Sequence, residues 1–155
     1  MKTILIIGAS SGYGKGVKDF FTLKNYNVIE ASRTGTHVLD VSNDLSVVDF
    51  FNKLKGTRID IVFYSAGIAI GKQHIKDKNI NDIESVFKVN TIGLINVLKH
   101  SYEFLLETKG SFFQIGSIAH ELSYVGGADY CASKSASNTI MKTIRKEWLG
   151  SEIRT

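Results

Sequence analysis

The stretch TILIIGASSGYG, residues 3–14, decides how the rest of the chain is read. Its first part, TILIIGA, is a continuous apolar run that stops at a glycine, the pattern of a central parallel strand buried on both faces. Its second part spaces Gly8, Gly12 and Gly14 as G-x-x-x-G-x-G. Glycine permits positive φ and lets a ligand come close to the backbone. Residues 13–24 then carry Val17, Phe20, Phe21 and Leu23 at helical spacing. A strand, a glycine turn and a helix in that order aim free backbone amides and the positive end of a helix dipole at one spot, which suits a phosphate. The spacing is not the G-x-G-x-x-G of the common dinucleotide fingerprint. A tight turn without a ligand is the plainer alternative.

Outward from this turn, apolar runs alternate with helical patterns. NVIEAS (27–32) and HVLDV (37–41) read as the second and third strands, with a connection too short for a helix. Leu45, Val48, Phe51 and Leu54 recur at three within 44–55 and mark the next helix. IDIVFYSAG (59–67) reads as the fourth strand, running into a glycine turn. Asn81 followed by Glu84 resembles a capping box that opens a long helix or helix pair. SFFQIGS (111–117) is the fifth strand, and 129–149 is another long helix. The alternation implies an α/β, doubly wound parallel sheet with right-handed crossovers and helices on both faces. No linker or repeat interrupts it, so residues 1–155 read as one domain. Ligands of such sheets bind beyond the carboxyl ends of the strands. Gly8, the YSAG turn (64–67) and Ser117 all fall there.

Composition narrows the function classes. A chain of 155 residues, 43% hydrophobic and 22% charged, can bury most of its apolar surface in a single domain. One cysteine, Cys131, excludes an internal disulfide framework and suits a reducing cytoplasm. It reads as a small buried residue rather than a nucleophile. No apolar stretch reaches the ~18 residues that cross a bilayer. At the start, Gly8 and the polar loop arrive too soon for a secretory signal. The net charge of +4 is spread along the chain, which argues for solvated faces and against a nucleic-acid partner. His37, His74, His100 and His120 lack metal-ligand spacing, so no metal is expected.

DYCASK (129–134) places Tyr130 and Lys134 four apart, on one helical face. A phenol with its ordinary pKa of about 10 exchanges protons poorly at neutral pH, and a nearby ammonium favours the phenolate. Alone, the pair is also consistent with two neighbours on an ordinary helix.

Taken together, these motifs resemble the short-chain dehydrogenases/reductases. IIGASSGYG looks like that family's T-G-x-x-x-G-x-G loop, and YSAG like its N-N-A-G turn. Asn90 in KVNTIG matches its helix asparagine, Ser117 in IGSIA its catalytic serine, and Tyr130 with Lys134 its Y-x-x-x-K. All occur in family order along the chain. The resemblance implies a Rossmann-like sheet of order 3-2-1-4-5 and an enzyme that interconverts a carbonyl and an alcohol on a small substrate. Hydride would come from a nicotinamide, since no side chain supplies it. Tyr130 would be acid and base. Lys134 would assist it and hold the nicotinamide ribose, Ser117 would bond the substrate oxygen, and Asn90 would connect Lys134 to solvent. The same resemblance assigns cofactor contacts to Gly8, Ser10, Ser11, Gly12, Tyr13 and Gly14, to Asp40 and Val41, and to Ala66 and Gly67. Asn90, Tyr130 and Lys134 would share in them. Without the resemblance, Ser117 reads as a strand end, Asn90 as a satisfied helix polar residue and Asp40 as a turn or cap residue.

An acidic residue at the end of the second strand would bond the ribose hydroxyls of NAD(H) and repel a 2′-phosphate. Here EASRT puts Ser32 at that position and Arg33 beside it, which favours NADP(H), with NAD(H) as the alternative. Glu30, two residues earlier, faces the same side as Ser32 and would weaken this choice if the alignment slipped. Family members commonly pair through the helix near 85–107 and the one bearing the tyrosine, so a homodimer or homotetramer is expected.

Three departures stand out. Ile7 replaces the family's usual threonine, and Tyr64 and Ser65 replace its paired asparagines. The chain reaches SEIRT where the family's sixth strand would begin, so the sixth and seventh strands, the Pro-Gly turn and the substrate-covering segment are not expected in it. The absence of any proline agrees. The fifth strand is therefore expected at the sheet edge. The competing class is a nucleotide-binding or interaction protein that lost turnover.

Overall fold

The computed structural model describes residues 1–155. Its five strands are β1 (Thr3–Ile7), β2 (Asn27–Ser32), β3 (His37–Val38), β4 (Ile61–Tyr64) and β5 (Ser111–Gln114). Its helices are α1 (Gly12–Leu23), α2 (Asp44–Lys53), α3 (Ile80–Phe87), α4 (Gly93–Thr108) and α5 (Ala128–Glu147). The strands form one sheet in the order β3-β2-β1-β4-β5, and every pairing is parallel. Fold class and strand order are those expected.

β1 is buried at all five positions, as a central strand between two helical layers must be. On one face, Leu5, Ile7, Val62, Tyr64 and Phe112 pack against Val47, Phe50, Leu94, Val97 and Leu105 in a cluster of 20 buried residues. On the other, Ile4, Ile6 and Ala9 lie beneath Val17 and Phe21 of α1. The thicker layer includes α4 and α5, and α5 bears Tyr130 and Lys134.

Four details differ from the sequence reading. The third strand stops at Val38 rather than residue 41. Parallel strands are ordinarily joined by a dozen residues or more. Here four residues, 33–36, return the chain just far enough for Ala31 to face His37 and Ser32 to face Val38. After Leu39, whose N–H donates to the Ser32 carbonyl (2.8 Å), the chain turns into the Asn43 cap of α2. Second, α3 opens two residues earlier than the expected capping box, with Asn79 as cap accepting from the Asn81 N–H at 2.8 Å. Third, of the expected long helix or helix pair the structure shows the pair, α3 and α4, joined by a π-helical turn at Lys88–Ile92 that the sequence did not announce. Fourth, β5 is not a bare edge. Arg154 bridges Ser111 in parallel, with Phe112 N–H donating to the Arg154 carbonyl (2.7 Å) and Arg154 N–H to the Gly110 carbonyl (3.0 Å). Ile153 follows into the core. Its burial makes those last pairings possible.

Candidate active site

A cleft of about 290 Å³ opens beyond the carboxyl ends of the strands. Its floor is the β1–α1 turn, and sterics explain the glycines there. Gly8 has φ +86°, and a Cβ on it would lie 2.7 Å from the Ala66 nitrogen. A Cβ on Gly14 would lie 2.1 Å from the Gly8 carbonyl oxygen. Gly14 therefore sits beneath the cleft and does not line it. Gly8, Ser10, Ser11, Gly12 and Tyr13 do line it. Ser11 caps α1 without a side-chain hydrogen bond, and the first turn of α1 holds no acidic residue. Its leading amides are left for an anion.

One end of the cleft is lined by Ser32, Arg33, Asp40 and Val41. The Ser32 hydroxyl donates to the Thr34 carbonyl, which holds the short β2–β3 connection in place. Arg33 is exposed and has no carboxylate within ion-pair distance. Glu30 pairs instead with Lys18 of α1 and does not reach the cleft. Asp40 fits both readings made of it. It lines the cleft, and its Oδ1 accepts from the Ser42 N–H (2.9 Å) and hydroxyl (2.6 Å).

The other end is lined by Ala66, Gly67, Ile68, Val89 and Ile115, and the remaining candidates gather behind it. Asn90 is buried in the π-helical turn, a device common at functional sites. Its Oδ1 accepts from the Ile68 N–H (2.8 Å), and its Nδ2 donates to the Ile68 carbonyl (2.9 Å) and to Ser133 Oγ (3.0 Å). The Ser133 hydroxyl donates to the Tyr130 carbonyl at 2.8 Å. Lys134 Nζ donates to the Ile115 carbonyl (3.2 Å) and lies 5.8 Å from the centre of the Tyr130 ring. A Cβ on Gly67 would be 3.7 Å from that ammonium and 3.4 Å from Asn90 Oδ1. Gly67 thus packs against both groups at ordinary contact distance. Burial holds the Lys134 ammonium below the ordinary lysine range.

Ser117 follows β5 and caps a short 3₁₀ turn, Ile118–His120. Its Oγ accepts from the Ala119 N–H at 3.2 Å, which leaves the hydroxyl proton free for another acceptor. Neither Tyr130 nor Ser117 is among the residues that line the cleft. Two supports escaped the sequence reading. The His120 ring contacts the Ser117 carbonyl through Nδ1. Tyr64, the departure from the family's asparagine, is fully buried and its hydroxyl donates to the Val89 carbonyl at 2.8 Å, tying β4 to the π-helical turn. Burial pushes its phenol well above the ordinary range, so that donor stays protonated.

A profile of the short chain dehydrogenase family matches residues 30–155. The chain belongs to that family. Among relatives of this short-chain dehydrogenase, the NADP-dependent 3-hydroxy acid dehydrogenase of Schizosaccharomyces pombe is 32% identical over 177 positions, spanning 99% of this chain and 68% of its own length. The serine 3-dehydrogenase of Rhizobium radiobacter is 27% identical and likewise matched over 68% of its length. Serine dehydrogenase from Escherichia coli shares the fold, with a TM-score of 0.91 at 24% identity over 98% of this chain and 78% of its own. This short-chain dehydrogenase chain therefore spans about two thirds of the length of the curated relatives named here.

Proposed function

We propose that the chain is an NADP(H)-dependent oxidoreductase that interconverts a carbonyl and an alcohol on a small substrate. The observation that supports this most is the joining of Lys134, Asn90 and Tyr130 behind Gly67, Ile68 and Ile115, which line one end of a single cleft whose floor is an uncapped helix N-terminus. The site fits a dinucleotide. Gly8 and Gly14 bring the backbone where a Cβ would obstruct it, and the free amides of α1 suit a pyrophosphate. When bound, the nicotinamide supplies the hydride.

The side chains do the rest. Arg33, unpaired at the far end, offers its guanidinium to a 2′-phosphate, while Glu30, the residue that would repel one, is engaged by Lys18. The curated relative from S. pombe is named for NADP, in keeping with this choice. Tyr130 hands a proton to the substrate oxygen or removes it. Lys134 supplies the charge that favours the anionic oxygen while that proton is in transit. Ser117 directs its free hydroxyl proton at the substrate oxygen and fixes its position. Asn90 holds Ile68 and, through Ser133, the backbone of Tyr130.

A homodimer or homotetramer belongs to the same reading. Ile95, Leu98 and Tyr102 of α4 with Ile140, Ile144 and Trp148 line an open apolar groove of about 460 Å³. The reading also places the chain in the cytoplasm, in keeping with its one cysteine, free and buried. The test is Tyr130→Phe. NADPH affinity by fluorescence titration should stay within about twofold, and carbonyl reduction should fall by about 10²–10⁴-fold. Equal turnover by the Phe variant would overturn the assignment.

A further inference from the structure

A buried ion pair stands beside the proton-transfer tyrosine, and nothing in the proposed chemistry uses it. Lys78 Nζ lies 2.5 Å from Asp129 Oδ1, with side-chain exposures of only 3% and 1%. Two charges taken out of water seldom gain more from each other than they lose in hydration. Such a pair therefore needs a reason other than stability, and its placement offers one.

Lys78 ends the segment that follows β4 and lines one end of the cleft with Gly67 and Ile68. Asp129 immediately precedes Tyr130 in the first turn of α5. Lys78 Nζ also donates to the Ile70 carbonyl at 3.3 Å, so it ties the segment to itself as well as to the helix. Nearby the two backbones touch. Gly126 has φ +80°, and a Cβ on it would lie 2.2 Å from the Lys72 carbonyl oxygen. The start of the segment is held by Asn90, which bonds both polar groups of Ile68 and reaches the Tyr130 carbonyl through Ser133. Residues 67–78 are thus fastened to α5 on both sides of Tyr130. Asp129 Oδ2 is buried without a partner, so Lys78 is the only side chain that holds this carboxylate.

We propose that Lys78 and Asp129 are positioning residues, whose ion pair latches the Gly67–Lys78 segment onto α5 and thereby forms the seat for the nicotinamide half of the cofactor beside Tyr130. The inference rests on the reading of the cleft as an NADP(H) site. It makes a division that can be measured, because the adenine half lies at the Arg33 end and should not sense the latch.

Affinities of the full chain for NADPH and for 2′,5′-ADP, which carries only the adenine half, separate the two ends. In the wild type NADPH should bind at least about tenfold tighter than 2′,5′-ADP, because a preformed seat rewards the nicotinamide half. In Lys78→Met and Asp129→Asn, 2′,5′-ADP affinity should hold within about twofold while that advantage disappears, and Lys78→Arg should restore part of it. Each single removal leaves a buried group unpaired, so the double variant K78M/D129L is measured beside them with its thermal unfolding. It should fold and still lack the advantage. The proposal is overturned if K78M or the folded double variant keeps the wild-type NADPH advantage, if both ligands weaken together, or if the double variant does not fold. It is also overturned if wild-type NADPH binds no tighter than 2′,5′-ADP. A wild type that binds neither ligand overturns the reading of the cleft itself.

Discussion

The two ends of the cleft are built on opposite principles. At the Arg33 end the chain is short, exposed and lightly bonded. β3 is two residues long, the β2–β3 connection is four, and Arg33 meets no carboxylate. At the Tyr130 end the polar groups are withdrawn from water and tied to one another. Asn90 is 2% exposed, Ser133 0% and Lys134 7%. A guanidinium in solvent attracts a phosphate by charge, an effect that salt screens and that needs little exact geometry. A buried network holds reacting groups within the fraction of an ångström that proton and hydride transfer require, and it is costly if any member is left unpaired. The first end should therefore govern which cofactor is preferred, and the reacting side chains of the second how fast the bound complex reacts.

Lys134→Met probes the buried end with the largest expected effect. Carbonyl reduction at saturating NADPH should drop by about a hundredfold or more. The unfolding midpoint should nevertheless rise, because burial already opposes the Lys134 charge and methionine fills similar space without it. A variant that loses stability along with rate would show that the ammonium holds the fold rather than the chemistry.

The glycine turn joins the two ends, and two substitutions there should separate steric from conformational need. Gly14→Ala drives a Cβ to 2.1 Å from the Gly8 carbonyl and should cost about 3 kcal/mol or more in urea unfolding. Gly12→Ala meets no atom within 4 Å and has only its φ of +52° to oppose it, so about 1–2 kcal/mol is expected. Equal costs would mean that the loop relaxes around Gly14.

At the exposed end, NADPH should bind about tenfold more tightly than NADH at low salt, and the ratio should shrink as salt screens the guanidinium. Equal affinities would remove Arg33 from cofactor choice.

The smallest effect serves as a control far from the cleft. At the opposite ends of the strands, Asp60 Oδ2 accepts from the Thr3 N–H (2.9 Å), and Arg58 donates to Oδ1 (2.6 Å). Burial disfavours the Asp60 charge, but these bonds outweigh it and hold the carboxyl below the ordinary range. A folded pKa below the unfolded one contributes stability that is present above the unfolded value, about 3.9, and is lost as pH falls through the folded value. Asp60→Asn should cost about 1 kcal/mol at pH 7 and progressively less below pH 4, with NADPH affinity unchanged. A stability difference that persisted at low pH would assign the cost to packing.

Much of this was legible in the sequence because it is local. The apolar run before Gly8, the glycine spacing and the Tyr130–Lys134 interval each lie within a dozen residues. The parallel sheet followed from the alternation of elements, its strand order from the family resemblance, and the place of the cleft from where the strands stop. What stayed hidden depends on distant partners or on backbone hydrogen bonding. Lys78 and Asp129 are 51 residues apart and look like two surface charges until the loop closes on α5. The π-helical turn at Lys88–Ile92 leaves no periodic mark, since KVNTI continues the apolar pattern on either side. Asn79 and Asn81 are equally good caps by type, and the structure begins α3 after Asn79, whose side chain accepts from the Asn81 N–H. The Arg154–Ser111 bridge falls where the resemblance puts the start of a sixth strand, but the residues of SEIRT alone do not show that they pair.

The separateness of the two ends is tested most directly by crossing Arg33→Ala with Tyr130→Phe and measuring NADPH affinity and the saturated reduction rate in all four proteins. Sites that share no partner should act additively in free energy. The account predicts that Arg33→Ala weakens NADPH about tenfold and leaves the saturated rate unchanged, that Tyr130→Phe does the reverse, and that the double variant shows both changes undiminished. A saturated rate that falls in Arg33→Ala, or an affinity that falls in Tyr130→Phe, would contradict it.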